Sequence, residues 1–290
     1  MKIRYIKYWA FAAVLGMGTV SCEDFLNRPT EDNYNESNFY QNDEQCVQGV
    51  NYLYNSPWYD FQRGFIKVGE ILSGNVYEGN SPYLNFTVNG TDENLVNMSY
   101  SLWAVIGHAN TVYTRLKTAN ASEAVKNQCM GECLAWKAMA YFYLVRSFGD
   151  VPYVTEPSES EQQDYQVAQS SADDVIVPAL IEDLKLAEEY APEEWPTEQY
   201  TRGRITKNAV RALLADVYLW KASDAGNSEA QADYRSCVEA CDRVLYNQAM
   251  YETEMMMVEG NRMYNSVFYT GNSCLLYTSP SPRDRSVSRM

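Results

Sequence analysis

Apolar side chains recur along much of this chain at spacings of three and four, the period of α-helices that bury one face. The first such stretch runs from about Asp43 to Tyr54, with Cys46, Val50 and Leu53 on one side, and Ser56-Pro57 breaks it. Asn75 to Asn97 interrupts the pattern: Gly79, Pro82, Gly90 and several asparagines oppose a regular helix there. The period resumes over Ser101–Lys117, with Leu102, Ile106, Ala109, Tyr113 and Leu116 inward. Asn120 with Glu123 predicts a capping pair for a long central helix. In that helix Leu134, Ala138, Tyr141, Val145 and Phe148 form one stripe. Cys133, Trp136, Ala140, Tyr143 and Leu144 form a second apolar face. A helix apolar on nearly all sides is buried inside a larger helical assembly. Gly149 and Pro152 end it.

Thr155–Ser170 reads as a polar loop. Ser171 with Asp174 caps a helix through about Tyr190, with Val175, Leu180, Leu184 and Ala187 inward and Pro178 either kinking it or delaying its start. Pro192–Gly203 is a further loop, holding Trp195 and Tyr200. Thr206–Ser223 and Ala230–Gln248 then form a helix pair. Its first member carries Ala209, Ala212, Leu213, Asp216 and Val217, closed by Tyr218 and Trp220; its second carries Tyr234, Val238, Ala240, Cys241 and Leu245. The expected fold is all-α. Two helices with small residues at the contact and a short linker resemble tetratricopeptide units.

Composition changes this picture at the two ends. Residues 1–21 have a basic start, Lys2, Arg4 and Lys7, and an apolar run from Tyr8 to Val20 too short to span a bilayer, the layout of an export signal. Thr19-Val20-Ser21-Cys22 resembles a bacterial lipobox, with Thr19 where leucine is usual. Cys22 is thus the expected lipidation site, since several acyl chains at about 0.8 kcal/mol per buried methylene anchor stably. Glu23-Asp24 resembles a surface-export tag of Bacteroidetes-type lipoproteins. Residues 22–42 read as a polar tether and 43–272 as the helical domain. Residues 273–290, ending in SPSPRDRSVSRM, resemble translated sequencing-adapter sequence and are set aside as non-native. A formal charge of −15 repels nucleic acid and anionic lipid headgroups, and no nucleic-acid partner is expected.

Candidate chemistry is sparse. The chain lacks a P-loop, G-x-G-x-x-G, G-x-S-x-G and H-E-x-x-H, so no catalytic residue and no cofactor is assigned. His108 is the only histidine and reads as structural. Cys129/Cys133 and Cys237/Cys241 are each one helical turn apart. They read either as a four-thiolate zinc site or as small packing residues, and packing is the expectation, so no metal is assigned. The loop offers more. Asn75, Tyr77, Glu78 and Tyr83 place amide, carboxylate and rings together, and sugars are bound by amides to hydroxyls and rings to C–H faces. The alternative is a solvated loop whose tyrosines fold back onto the core.

Several segments together resemble the SusD/RagB outer-membrane lipoproteins. Gly131-Glu132, Lys137-Ala138, Tyr141-Phe142, Leu144-Val145-Arg146 and Gly149-Asp150-Val151-Pro152 look like that family's central helix, with Cys133 replacing its alanine and Lys137 its arginine. Cys22-Glu-Asp-Phe-Leu-Asn with Pro29, Phe39 and Tyr40 is similar to its N-terminus. Trp103, Asn110 and Val112 are similar to its Trp…Ala-Asn-x-Val helix, and Gly203-Arg204-Ile205-Thr206-Lys207 to its Gly-Arg-x-Thr-Lys motif. The resemblance implies a SusD-like fold with long irregular loops and a C-terminal half beyond this chain. It also implies a cell-surface lipoprotein that captures oligosaccharides, or in some relatives peptides, and passes them to a SusC-like TonB-dependent transporter at the outer membrane. A ligand-facing loop is implied after Ile71-Leu72-Ser73, where relatives tend to have Ser-Asp and this chain has Gly74-Asn75. The other reading of the helix pairs is a protein-interaction scaffold.

Overall fold

The computed structural model describes residues 39–55, 58–157, 166–197, 201 and 203–245. Helix α1 is Asp43–Val50 and tightens into a 3₁₀ turn over Asn51–Tyr54. Helix α2, Trp58–Ile66, widens into a π turn over Lys67–Ile71. Then come α3 (Glu93–Leu116), α4 (Glu123–Phe148), α5 (Val177–Tyr190), α6 (Lys207–Ser223) and α7 (Ala230–Leu245). Successive helices pack on one another from α3 to α7, the helix-pair arrangement expected from the periodicity. Among the described residues no helix is long and apolar enough to cross a membrane.

Helix α4 is the axis of the core. Cys129, Cys133, Leu134, Ala138, Ala140, Tyr141, Phe142 and Leu144 are all buried on it. Small residues let neighbours approach closely. A Cβ on Gly131 would lie 3.0 Å from Tyr190 Cβ and 3.2 Å from the Ala191 nitrogen, so the close crossing with the end of α5 requires glycine. Gly64 does the same between α2 and α3: its Cβ would meet Met98 Cβ at 2.6 Å. The polar residues of α4 are paired where buried, as burial of charge demands. Lys137 Nζ meets Asp183 of α5 at 2.7 Å, and Glu132 meets Arg204.

Several boundaries differ from the sequence reading. Helix α2 was not anticipated: Gly64 lies within it and Gly69 within the π turn that follows, and glycine is a poor helix former. Helix α3 begins at Glu93, within the stretch read as loop, because the Asp92 carboxylate accepts the Asn94 and Leu95 amides at 3.0 and 3.3 Å. The expected Asn120/Glu123 capping pair does not form. Ser122 is the cap residue, and its amide and hydroxyl donate to Asp43 at 2.7 and 2.9 Å, tying the starts of α1 and α4 together. Glu123 pairs instead with Lys126. Of the two readings of Pro178 the later start holds: a π turn over Ala172–Ile176, capped by Ser171, precedes α5, and the proline falls in the first turn of that helix, where a missing N–H is tolerated. A short antiparallel pairing of β1 (Val151–Pro152) with β2 (Gln169–Ser170) brackets the polar loop. In the last pair, Asp216 and Trp220 are exposed, as are Tyr234, Val238, Cys241 and Leu245. The buried residues of α7 are Asp233, Ala240 and Val244, and Asp233 pairs with Lys221 of α6 at 2.8 Å. Trp136 is half-buried, edge-on to Tyr54 at 5.1 Å, so α4 is not enclosed on every side.

Candidate functional site

The loop between α2 and α3 is built by local backbone pairing. Leucine 72 caps the π turn, its amide donating to Lys67 O at 2.9 Å. Gly74 turns the chain at φ +78°, and Val76 N then donates back to Glu70 O at 3.0 Å. Farther on, Asn85, Phe86 and Thr87 donate to the carbonyls of Ser81, Tyr83 and Pro82. Asn80 and Phe86 both hold φ +55°, the left-handed region that is uncommon for a residue with a side chain. A bulky aromatic in that region is a strained position, and strain of this kind collects at functional sites. Phe86 nevertheless stands 76 % exposed.

The four residues singled out in this loop do not share one environment. Tyr77 is 85 % exposed and Asn75 is exposed beside it. Glu78 is half-buried and paired with Lys67 of the π turn; that hydrogen bond, with a second from Ser81, holds its carboxyl below the usual range. Tyr83 is 1 % exposed. Its hydroxyl donates to Asp92, and burial together with that bond raises its pKa. The expectation that Tyr83 offers a stacking face is therefore corrected: its ring anchors the loop to the cap of α3, because a hydroxyl reaching a fixed carboxylate lets the ring be buried at no polar cost. Burial works against ionised Asp92, but the bonds from Tyr83 and from the Leu95 and Asn94 amides prevail and hold its carboxyl below the usual range.

The exposed set is thus Asn75, Tyr77 and Phe86, with Glu78 fixed at its edge. Phe86 is one more aromatic of the same stretch, and the sequence does not single it out. Nothing local foretells its left-handed backbone, since phenylalanine has no preference for it. Chemically this set can stack on and hydrogen-bond to a neutral polyol. Neither Glu78 nor Asp92 is held protonated, so the loop lacks the raised-pKa acid that glycoside hydrolysis uses.

The other sequence candidates fall elsewhere. Cys22 lies outside the described residues. His108 Nε2 donates to Gly49 O at 2.8 Å and its ring lies 4.5 Å from Tyr52, joining α3 to α1; burial lowers its pKa. Cys129 and Cys133 are buried in the core, their thiols pushed up by burial, while Cys237 and Cys241 sit on α7. Among the described residues no group of three or more potential ligands is placed to hold a metal. A cleft of about 520 Å³ between α5, α6 and α7 is lined by Lys185, Arg211, Tyr218 and Arg243, but Glu188 already accepts from Arg211 at 2.8 Å and from Arg243 at 3.2 Å.

Comparison with known proteins adds to this geometry. A family profile described as SusD-like, starch-binding and associating with the outer membrane matches residues 12–219. A SusD-like protein of Bacteroides ovatus is 30 % identical over 232 residues, covering 75 % of this chain and 41 % of its own length. A SusD-like protein of Formosa agariphila is 28 % identical, covering 77 % of this chain and 45 % of its own. A crystal structure containing a xylogluco-oligosaccharide is 26 % identical with a TM-score of 0.61, over 70 % of this chain and 40 % of that one. A laminarin-binding SusD-like protein, 23 % identical with a TM-score of 0.57 over 71 % of this chain and 44 % of its own, shares the fold. The chain spans about two fifths of the length of the B. ovatus relative.

Proposed function

This chain belongs to the SusD-like family, and on that premise we propose that it is a cell-surface lipoprotein which captures oligosaccharides for uptake. Its anchor in this reading is a lipid on Cys22, after removal of residues 1–21, with 22–42 as the tether. Its partner is a SusC-like TonB-dependent transporter, to which the glycan is delivered across the outer membrane. The observation that carries the reading is that two aromatic rings, Tyr77 and Phe86, are held out to solvent on one loop stapled to the core through Tyr83, a loop that also carries the Asn75 amide and the Glu78 carboxylate. An acidic surface suits a neutral glycan better than an anionic one.

The test is affinity electrophoresis in gels containing laminarin, xyloglucan or starch, with wild type, Tyr77→Ala and Phe86→Ala. Retardation of wild type by one of these, reduced in both variants at unchanged thermal stability, supports the reading. Binding unaffected by both substitutions removes this loop from the site. The peptide-capturing or scaffold reading is favoured by a separate observation: Tyr234, Val238, Cys241 and Leu245 form an exposed stripe at spacings of four, three and four on α7. Loss of all three glycan interactions with retained capture of peptides would select it.

A further inference from the structure

Two motifs that the binding loop does not use, Gly131-Glu132 and Gly203-Arg204-Ile205-Thr206-Lys207, meet in space across 72 residues. Glu132 is fully buried on α4, and the Arg204 side chain is only 10 % exposed. The guanidinium grips the carboxylate with two bonds, Nε to Oε1 at 2.8 Å and Nη2 to Oε2 at 2.7 Å. Its third arm, Nη1, donates to Asn51 Oδ1 at 3.0 Å, a residue 153 positions earlier. The guanidinium carbon lies over two rings, 5.2 Å from the centroid of Tyr54 and 4.9 Å from that of Trp195. The Tyr54 hydroxyl donates to Glu132 and accepts the Ile205 amide at 3.0 Å. Trp195 Nε1 donates to Ile205 O at 2.9 Å.

One side chain therefore touches the turn after α1, the middle of α4 and the approach to α6, and each polar group in the cluster is bonded. A buried ion pair is poor evidence of net stabilisation, because desolvating both charges offsets their attraction; its better-attested use is to fix one arrangement among several. Helix α6 begins three residues after Arg204, with the Lys207 amide donating to Pro192 O at 2.8 Å. We propose that Arg204 is a registry latch, which seats the α6–α7 pair against the N-terminal helices in one position and does so through geometry more than through stability. The fork of three bonds beside two aromatic rings is open to arginine alone; lysine presents a point charge that cannot make it.

Hydrogen exchange followed by mass spectrometry, with thermal unfolding, tests the latch in Arg204→Lys, Arg204→Met and the double variant Glu132→Met/Arg204→Met. The single Met variant leaves Glu132 buried without its counter-ion, and the largest loss of thermal stability is expected there. The double variant is expected to recover most of that loss. Both it and Arg204→Lys are expected to exchange faster in two separate segments together, 43–54 and 207–223, while 93–116 keeps its wild-type protection. Wild-type exchange in the double variant would overturn the proposal. So would a rise confined to 203–206, a rise spread evenly along the chain, or failure of the double variant to fold, since each assigns the pair either no structural reach or a purely stabilising role. If Arg204→Met alone does not fold, the other two variants decide the matter.

Discussion

In helix α4, Tyr141 is fully buried, and its hydroxyl is clamped by one residue: it donates to Val154 O at 3.1 Å and accepts the Val154 amide at 2.7 Å. In the loop after α2, Tyr77 stands almost wholly in solvent, while Tyr83, six residues on, is as buried as Tyr141 and is held by Asp92. The loop thus contains both uses of the residue. A ring joins the core when its hydroxyl finds a fixed partner inside it, and is left outside when the backbone points it away. The comparison separates rings that hold the fold from rings free to meet a ligand, and it predicts that mutations in the two groups affect different measurements.

The largest effect belongs to the core. Phe142→Ala, at a fully buried ring that also supports Trp220 and Arg146, should lower stability by about 3–5 kcal/mol in denaturant titration. A change below about 1 kcal/mol would mean that α4 is not the axis of packing. Next comes Asp92→Ala, which removes the cap of α3 and the partner of Tyr83 and should cost about 1–2 kcal/mol. This residue also carries a pH dependence. Its folded carboxyl is held below its ordinary pKa, so its stabilising contribution is present above about pH 4 and is lost as pH falls through the folded value. The variant should therefore show a shallower acid limb below about pH 4 than wild type; identical acid limbs would remove Asp92 from the account.

Smaller still, Tyr83→Phe should cost on the order of 1 kcal/mol through the lost hydroxyl bond and leave glycan retardation unchanged. Were it to weaken binding at constant stability, the distinction between the two tyrosines would collapse. Tyr77→Ala should leave stability within about 0.5 kcal/mol of wild type and reduce glycan retardation. A marked fall in its melting temperature would place that ring in the fold instead.

Much of the helical scaffold was legible because burial of one face imposes a period on the sequence. The stripes of α1, α4 and α5 mark many residues that the structure buries, Cys46, Val50, Leu134, Tyr141, Leu180 and Leu184 among them, but Phe148, at the last turn of α4, and Val175, in the π turn ahead of α5, are exposed where the period placed them inward. Ends were less legible. Ser122 rather than Asn120 caps α4, and Asp92 starts α3 eight residues before its expected first residue, because a cap is chosen by which backbone amides a side chain can reach, and several polar residues compete locally. Helix α2 was missed because Gly64, a poor helix former, is required there by contact with Met98, a neighbour 34 positions away. Of the loop candidates, Asn75 and Tyr77 are exposed and Tyr83 is not, although all three look alike in composition.

The sequence by itself determined the helical scaffold, the absence of motif-bearing catalytic chemistry and the family, since periodicity and short motifs are local properties of the chain. Only the tertiary structure decided that Tyr83 belongs to the core, that Phe86 faces solvent from a left-handed backbone, and that Glu132 and Arg204 are one interaction. Those outcomes depend on which distant group supplies a partner for a buried polar atom, and such a partner is fixed by packing across tens of residues rather than by any neighbour in the chain.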